Sequence, residues 1–196
     1  MNLPNKLTLS RIFCTPLMIL VFLLPIPYGI NIFAALLIYI CACLTDLFDG
    51  KIARKYNIVT DFGRFADQIA DKFLTTSALI LALSRGVCTG WLSVVIILIV
   101  VLRDILISGI RMLAAKYGTV IAADIFGKIK SFVLDCALMV MFLYLGLNAV
   151  LGGKVEFIRI IGLVGIIGGA VLTLISCVNY TWNARALIKQ SLTDNQ

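Results

Sequence analysis

The chain has 196 residues, 61% of them hydrophobic and 14% charged, with a mean hydropathy of +1.06. A soluble domain carries about 45–50% apolar and about 25% charged residues, so this composition excludes a soluble globule, a disordered tail and a disulfide scaffold, and it points to an integral membrane protein. The net charge is +7 and there is no histidine, which excludes imidazole acid–base chemistry and the usual zinc sites and leaves carboxylates, lysine, arginine or a metal for any catalysis.

In chain order, the apolar runs predict six membrane-crossing helices, at roughly 7–25, 28–48, 62–84, 91–115, 128–148 and 158–182, each near the length of about 20 residues that a span requires. The first is interrupted by Arg11 and Pro16 and is followed by no convincing small-residue cleavage site, so it reads as a span rather than a signal peptide. Pro25 and Pro27, Gly86 and Gly90, and Gly152 and Gly153 punctuate the connectors. No repeat or low-complexity linker divides the chain, so residues 1–196 are expected to form one all-α bundle domain. The six cysteines are scattered through apolar stretches without a C-x-x-C pair and read as small packing residues.

Charge distribution sets the expected orientation. With both termini on one side, that side collects all but three of the 17 lysines and arginines; only Arg85, Lys154 and Arg159 fall opposite. By the positive-inside rule the termini and the 49–62 and 115–128 loops are cytoplasmic. Phe73–Ser84 and Trp91–Leu102 are uncharged over only 12 residues each, so their helices must continue into halves carrying Asp67, Asp71, Lys72, Arg103, Asp104 and Arg111. Charges at such depth cost a few kcal/mol each and face a bundle interior or a wet cavity. A polar cavity opening to the cytoplasm follows.

The densest carboxylate pattern is Asp46, Asp49, Gly50, Ala53 and Arg54, continuing to Gly63, Asp67, Asp71 and Lys72. Asp46 and Asp49 lie about 60° apart on a helical face, and Asp67 and Asp71 about 40° apart on the next. A short connection makes the two helices antiparallel neighbours, so the four carboxylates can converge. Converging carboxylates repel and need a compensating cation. Oxygen donors without His or Cys select Mg²⁺, Mn²⁺ or Ca²⁺, and two such ions suit phosphoryl transfer from a diphosphate. Gly50, Gly63 and Ala53 leave room for a ligand against the backbone. The alternatives are an ion site in a cation transporter, a non-catalytic membrane scaffold, or aspartates that merely end helices near water.

This stretch reads D-x-x-D-G-x-x-A-R-x8-G-x-x-x-D-x-x-x-D, with all eight fixed positions present over 26 residues (Asp46–Asp71), and the chain thereby resembles the CDP-alcohol phosphatidyltransferases. The resemblance implies that Asp46, Asp49, Asp67 and Asp71 hold divalent metal, two Mg²⁺ or Mn²⁺ ions. It implies that Asp71 is the base for the acceptor hydroxyl and that Asp49, Gly50, Ala53, Arg54 and Gly63 line the CDP pocket. It also implies a homodimer in a bacterial inner membrane, working on lipid substrates and not on nucleic acid.

The remaining cations bear on the acceptor. Arg103 and Arg111 lie on one helix, Lys128 and Lys130 open the next, and Arg11 interrupts the first. Together they suit a phosphate-bearing acceptor, which arginine can grip bidentately; membrane topology and contact with anionic lipid are the alternative explanation of such residues. Asn2–Arg11, Arg103-Asp104…Ser108-Gly-Ile-Arg111 and Val120-Ile-Ala-Ala…Gly127-Lys128-Ile-Lys130 are similar to the branch of the family that uses sn-glycerol 3-phosphate, with Asp104 and Gln68 as departures from its usual pattern. That likeness implies transfer of a phosphatidyl group from CDP-diacylglycerol to glycerol 3-phosphate with release of CMP. Inositol phosphate and phosphatidylglycerol are the rival acceptors.

Overall fold

A computed structural model describes residues 3–56, 61–117 and 125–185; within these, the side chains of 3–8, 28, 47–56, 61–62, 64–65, 115–116, 125–126 and 128 are outside the description. Among the described residues there are six α-helices and no strand: α1 (Leu3–Leu23), α2 (Ile30–Tyr56), α3 (Asp61–Ser84), α4 (Gly90–Lys116), α5 (Ile125–Leu151) and α6 (Glu156–Asn183), with one 3₁₀ turn at Pro27–Gly29. The order matches the six expected helices. The main boundary difference is in α2, which was expected to stop near residue 48 and instead runs to Tyr56. Gly50 costs a helix only about 1 kcal/mol, and the following Lys51, Arg54 and Lys55 favour the negative end of the helix dipole.

Three of the helices, α4, α5 and α6, are long and apolar enough to cross a membrane by length and composition; α1 and α2 contribute shorter apolar stretches, Leu9–Leu23 and Ile30–Asp46. Residues such as Leu98, Leu102 and Ile105 on α4 and Val164, Val171 and Val178 on α6 are about half exposed or more. An apolar surface of this extent is stable against hydrocarbon and not against water, so this is a membrane protein.

The helices pack through small and regularly spaced residues. On α3 the buried positions Ala66, Ala70, Leu74, Ala78 and Ala82 recur every four residues, forming one ridge. On α1 the buried face runs Arg11, Thr15, Met18, Phe22; α1 packs on both α2 and α3. Behind them Phe22, Phe142 and Tyr39 stack, with ring centroids 5.4 Å and 5.9 Å apart in successive pairs. The most extensive helix–helix packing is between α5 and α6. A Cβ placed on Gly162, Gly165 or Gly169 would meet Met141, Ala137 or Leu134 at 2.8, 2.7 and 3.2 Å, so these glycines let α5 approach almost to the α6 backbone.

At the end of the bundle away from the aspartates, the Asn31 amide donates to the carbonyls of Phe22 and Leu24 at 2.8 and 2.9 Å, satisfying groups that the end of α1 leaves open. Gly29 turns the chain there with φ of 65°, a backbone conformation that glycine tolerates and most residues do not.

Candidate active site

Three helices bring their polar ends together. Arg11 lies on the buried face of α1 and is only 1% exposed. Its guanidinium donates one hydrogen bond to Asp46 on α2 and another, 2.6 Å long, to Asp67 on α3. The two carboxylates are 39% and 51% exposed, so Arg11 backs them from inside while their outer surfaces remain open. Carboxylates from the second and third helices therefore do converge on one cation. Arg11, grouped by sequence with the acceptor cations, is placed instead behind these carboxylates.

In front of them is a cavity of about 520 Å³. Asp46, Asp67, Asp71 and Lys72 line one wall; Arg103, Asp104 and Arg111 of α4, Gly127, Lys130 and Asp135 of α5, and Tyr180 of α6 line the rest. Of the sequence-designated residues, three of the four motif aspartates thus share a cavity with three of the five expected acceptor cations. The side chains of Asp49, Gly50, Ala53, Arg54 and Lys128 lie outside the described residues, and Gly63 is partly buried near the start of α3.

The cationic wall is a network. Asp104 accepts hydrogen bonds from Arg103 at 3.0 Å and Lys130 at 2.9 Å. Arg103 also donates to the Ser176 hydroxyl of α6 at 2.7 Å. Lys72 reaches across from α3 to the Asp104 carbonyl at 3.0 Å and to the Ser108 hydroxyl. The Arg111 guanidinium lies 5.9 Å from the centre of the Tyr180 ring, in cation–π range. Gly127 lies against this wall, where a Cβ would stand in contact distance, 3.4 Å, of the Arg103 guanidinium. On this side of the cavity Arg103, Arg111 and Lys130, with Lys72 reaching in from α3, outnumber the carboxylates Asp104 and Asp135, which leaves it positive and suited to an anion.

A second, smaller cluster was not anticipated from sequence. Tyr39 and Thr75 both donate to Oδ1 of Asp135, at 2.9 and 3.2 Å. Asp135 is a lone carboxylate in an apolar stretch of sequence, but Tyr39 and Thr75 read as ordinary span residues, and Ser176 and Tyr180 carry no signal either.

A hard divalent ion fits the chemistry of the aspartate wall. The donors are carboxylate oxygens, and Asp46 and Asp67 already share a cation. Among the described residues no three Asp, Glu or Cys side chains are close enough to enclose an ion.

The profile of the CDP-alcohol phosphatidyltransferase family matches residues 1–182. The chain belongs to the CDP-alcohol phosphatidyltransferase family. Among curated relatives, it is similar to proteins named CDP-diacylglycerol–glycerol-3-phosphate 3-phosphatidyltransferase. That of Bacillus subtilis is 36% identical over 153 residues, covering 73% of this chain and 77% of the relative. That of Rickettsia bellii is 34% identical over 179 residues, 91% of this chain and 93% of the relative. That of Shigella flexneri serotype 5b is 35% identical over 187 residues, 94% and 96% respectively. Membership makes the chain a transferase of phospholipid biosynthesis.

Proposed function

We propose that this chain transfers the phosphatidyl group of CDP-diacylglycerol to sn-glycerol 3-phosphate, giving phosphatidylglycerophosphate and CMP. The observation that carries this reading is the shared cavity, in which Asp46, Asp67 and Asp71 face Arg103, Arg111 and Lys130. A phosphate-bearing acceptor matches that cationic wall; an uncharged alcohol would leave it without a counterion. The names of the relatives support the same substrates.

In this mechanism an acceptor hydroxyl attacks the β-phosphorus of CDP-diacylglycerol. The new P–O bond forms as the bond to CMP breaks, and Asp71 takes the hydroxyl proton. Asp46, Asp49, Asp67 and Asp71 would hold two Mg²⁺ or Mn²⁺ ions, which when bound neutralise the diphosphate and the charge growing on CMP. Arg11 holds Asp46 and Asp67 in place. Gly50, Ala53, Arg54 and Gly63, with Asp49, bind the CDP moiety, and Arg103, Arg111, Lys128 and Lys130 hold the acceptor phosphate. The acyl chains stay in the bilayer while the head group enters the cavity. The whole chain acts as one domain, as a homodimer in the bacterial inner membrane, with its termini and cavity on the cytoplasmic side; the excess of cations at that end supports the orientation.

The test is CMP release by the purified protein from CDP-diacylglycerol against a panel of acceptors. Glycerol 3-phosphate is expected to be used best; equal or better use of inositol phosphate or phosphatidylglycerol overturns the acceptor. Asp71→Asn should lower kcat by about 10²–10⁴-fold in a protein that melts as the parent does, and near-normal turnover removes Asp71 as the base.

A further inference from the structure

Asp135 has no part in the mechanism above, yet it lines the same cavity as Asp71 and the phosphate-binding cations. Its depth follows from its partners. Thr75 is one turn further into α3 than Asp71, about 6 Å along the axis, and Tyr39 is about 10 Å further into α2 than Asp46. Asp135 therefore forms the inner end of the cavity. Tyr39, which anchors it, is fully buried in the aromatic core.

Both hydrogen bonds from the protein go to the same oxygen, Oδ1. Among the described residues no hydrogen bond reaches Oδ2 and no cation pairs with the carboxylate, and Oδ2 is not among the buried atoms left without a partner. It is therefore not fully enclosed, and Asp135 itself lines the cavity. A carboxylate oriented by two neutral donors and presenting its second oxygen to a cavity is an acceptor for a ligand's hydroxyl. Along α5 it stands about 7.5 Å of axial rise beyond Lys130, so the cavity lining carries the cation and the carboxylate at different depths.

We propose that Asp135 determines acceptor specificity: its Oδ2 accepts a hydrogen bond from the non-reacting hydroxyl of the phosphorylated polyol whose phosphate the cationic wall holds. This rests on the phosphatidyl-transfer reading and deepens it. Asp135 selects for a polyol by its second hydroxyl, Tyr39 and Thr75 act as positioning residues for Asp135, and Asp71 remains the base.

The experiment compares sn-glycerol 3-phosphate with 3-hydroxypropyl phosphate, which keeps the phosphate and a primary hydroxyl and lacks only the central one. The parent protein should favour glycerol 3-phosphate by about tenfold or more in kcat/KM, as a hydrogen bond to a charged group warrants. Asp135→Asn keeps an oxygen for Tyr39 and Thr75 and removes the charge. It should shrink that preference by about fivefold through KM for glycerol 3-phosphate, with 3-hydroxypropyl phosphate affected by less than about twofold. Tyr39→Phe, which preserves the ring packing, should reduce the same preference in part, and it carries the test if the Asn variant does not fold. An undiminished preference in a folded variant overturns the assignment, and so does an equal loss for both acceptors, which would mark a merely structural carboxylate. If the parent protein releases CMP with neither acceptor, it is the underlying reaction that fails, a result distinct from both.

Discussion

Gly165 on α6 offers the most direct test of how the two longest-packed helices hold the site. A Cβ on this residue would lie 2.7 Å from the Cβ of Ala137 and 3.5 Å from its Cα. Carbon atoms rest at about 3.5–4.0 Å, so Gly165→Ala must part α5 and α6 by about 1 Å. Overpacking of this kind costs about 1–3 kcal/mol, against a gain of about 1 kcal/mol in helix propensity. Gly168, on the same helix with no atom within 4 Å of its virtual Cβ, isolates the propensity gain. At about 2–4 °C per kcal/mol for a chain of this size, Gly165→Ala should melt about 2–12 °C below Gly168→Ala in detergent. Combining Gly165→Ala with Ala137→Gly should show a favourable coupling in a double-mutant cycle. Activity should fall with stability, because α5 carries Lys130 and Asp135 while α6 carries Ser176, the partner of Arg103. Equal melting of the two alanine variants would refute the close approach of these helices.

Three further outcomes are expected. Removal of divalent metal by a chelator should abolish CMP release and excess Mg²⁺ or Mn²⁺ should restore it; release that persists under saturating chelator refutes a metal role for the aspartates. Arg111→Ala should raise KM for glycerol 3-phosphate by about ten- to hundredfold, the loss of one charge-assisted contact, with KM for CDP-diacylglycerol little changed; an unaltered acceptor KM moves the phosphate elsewhere. Asp104→Ala leaves Arg103 and Lys130, only 12% and 5% exposed, without their shared carboxylate, and should cost about 3–5 kcal/mol; a change in melting temperature worth less than about 1 kcal/mol shows that solvent or lipid supplies the counterion.

Much of this architecture was legible because membrane helices announce themselves through hydropathy. The six helices and their order followed from apolar runs and from the proline and glycine punctuation between them. That Asp67 and Asp71 line one cavity was legible because a spacing of four residues fixes a shared helical face whatever the tertiary fold; the Asp49 side chain, the other half of the first pair, lies outside the described residues. What could not be read was contact between helices. Nothing in the one-dimensional pattern says that Arg11 turns toward Asp46 and Asp67 rather than toward the cations of α4 and α5. Tyr39 in an apolar run looks like any span residue until α5 brings Asp135 beside it. The extension of α2 to Tyr56 was missed because Asp49-Gly50 resembles a turn, and the helix-favouring residues after it outweigh one glycine.

The placement of Arg11 bears on how the protein is made. Two acids on neighbouring helices repel while the chain is still threading into the bilayer, and the guanidinium that reconciles them belongs to a segment the ribosome delivers before either acid. That helix is thus already waiting when each aspartate arrives, so the mutual repulsion of the pair need not await any ion from solution to be relieved.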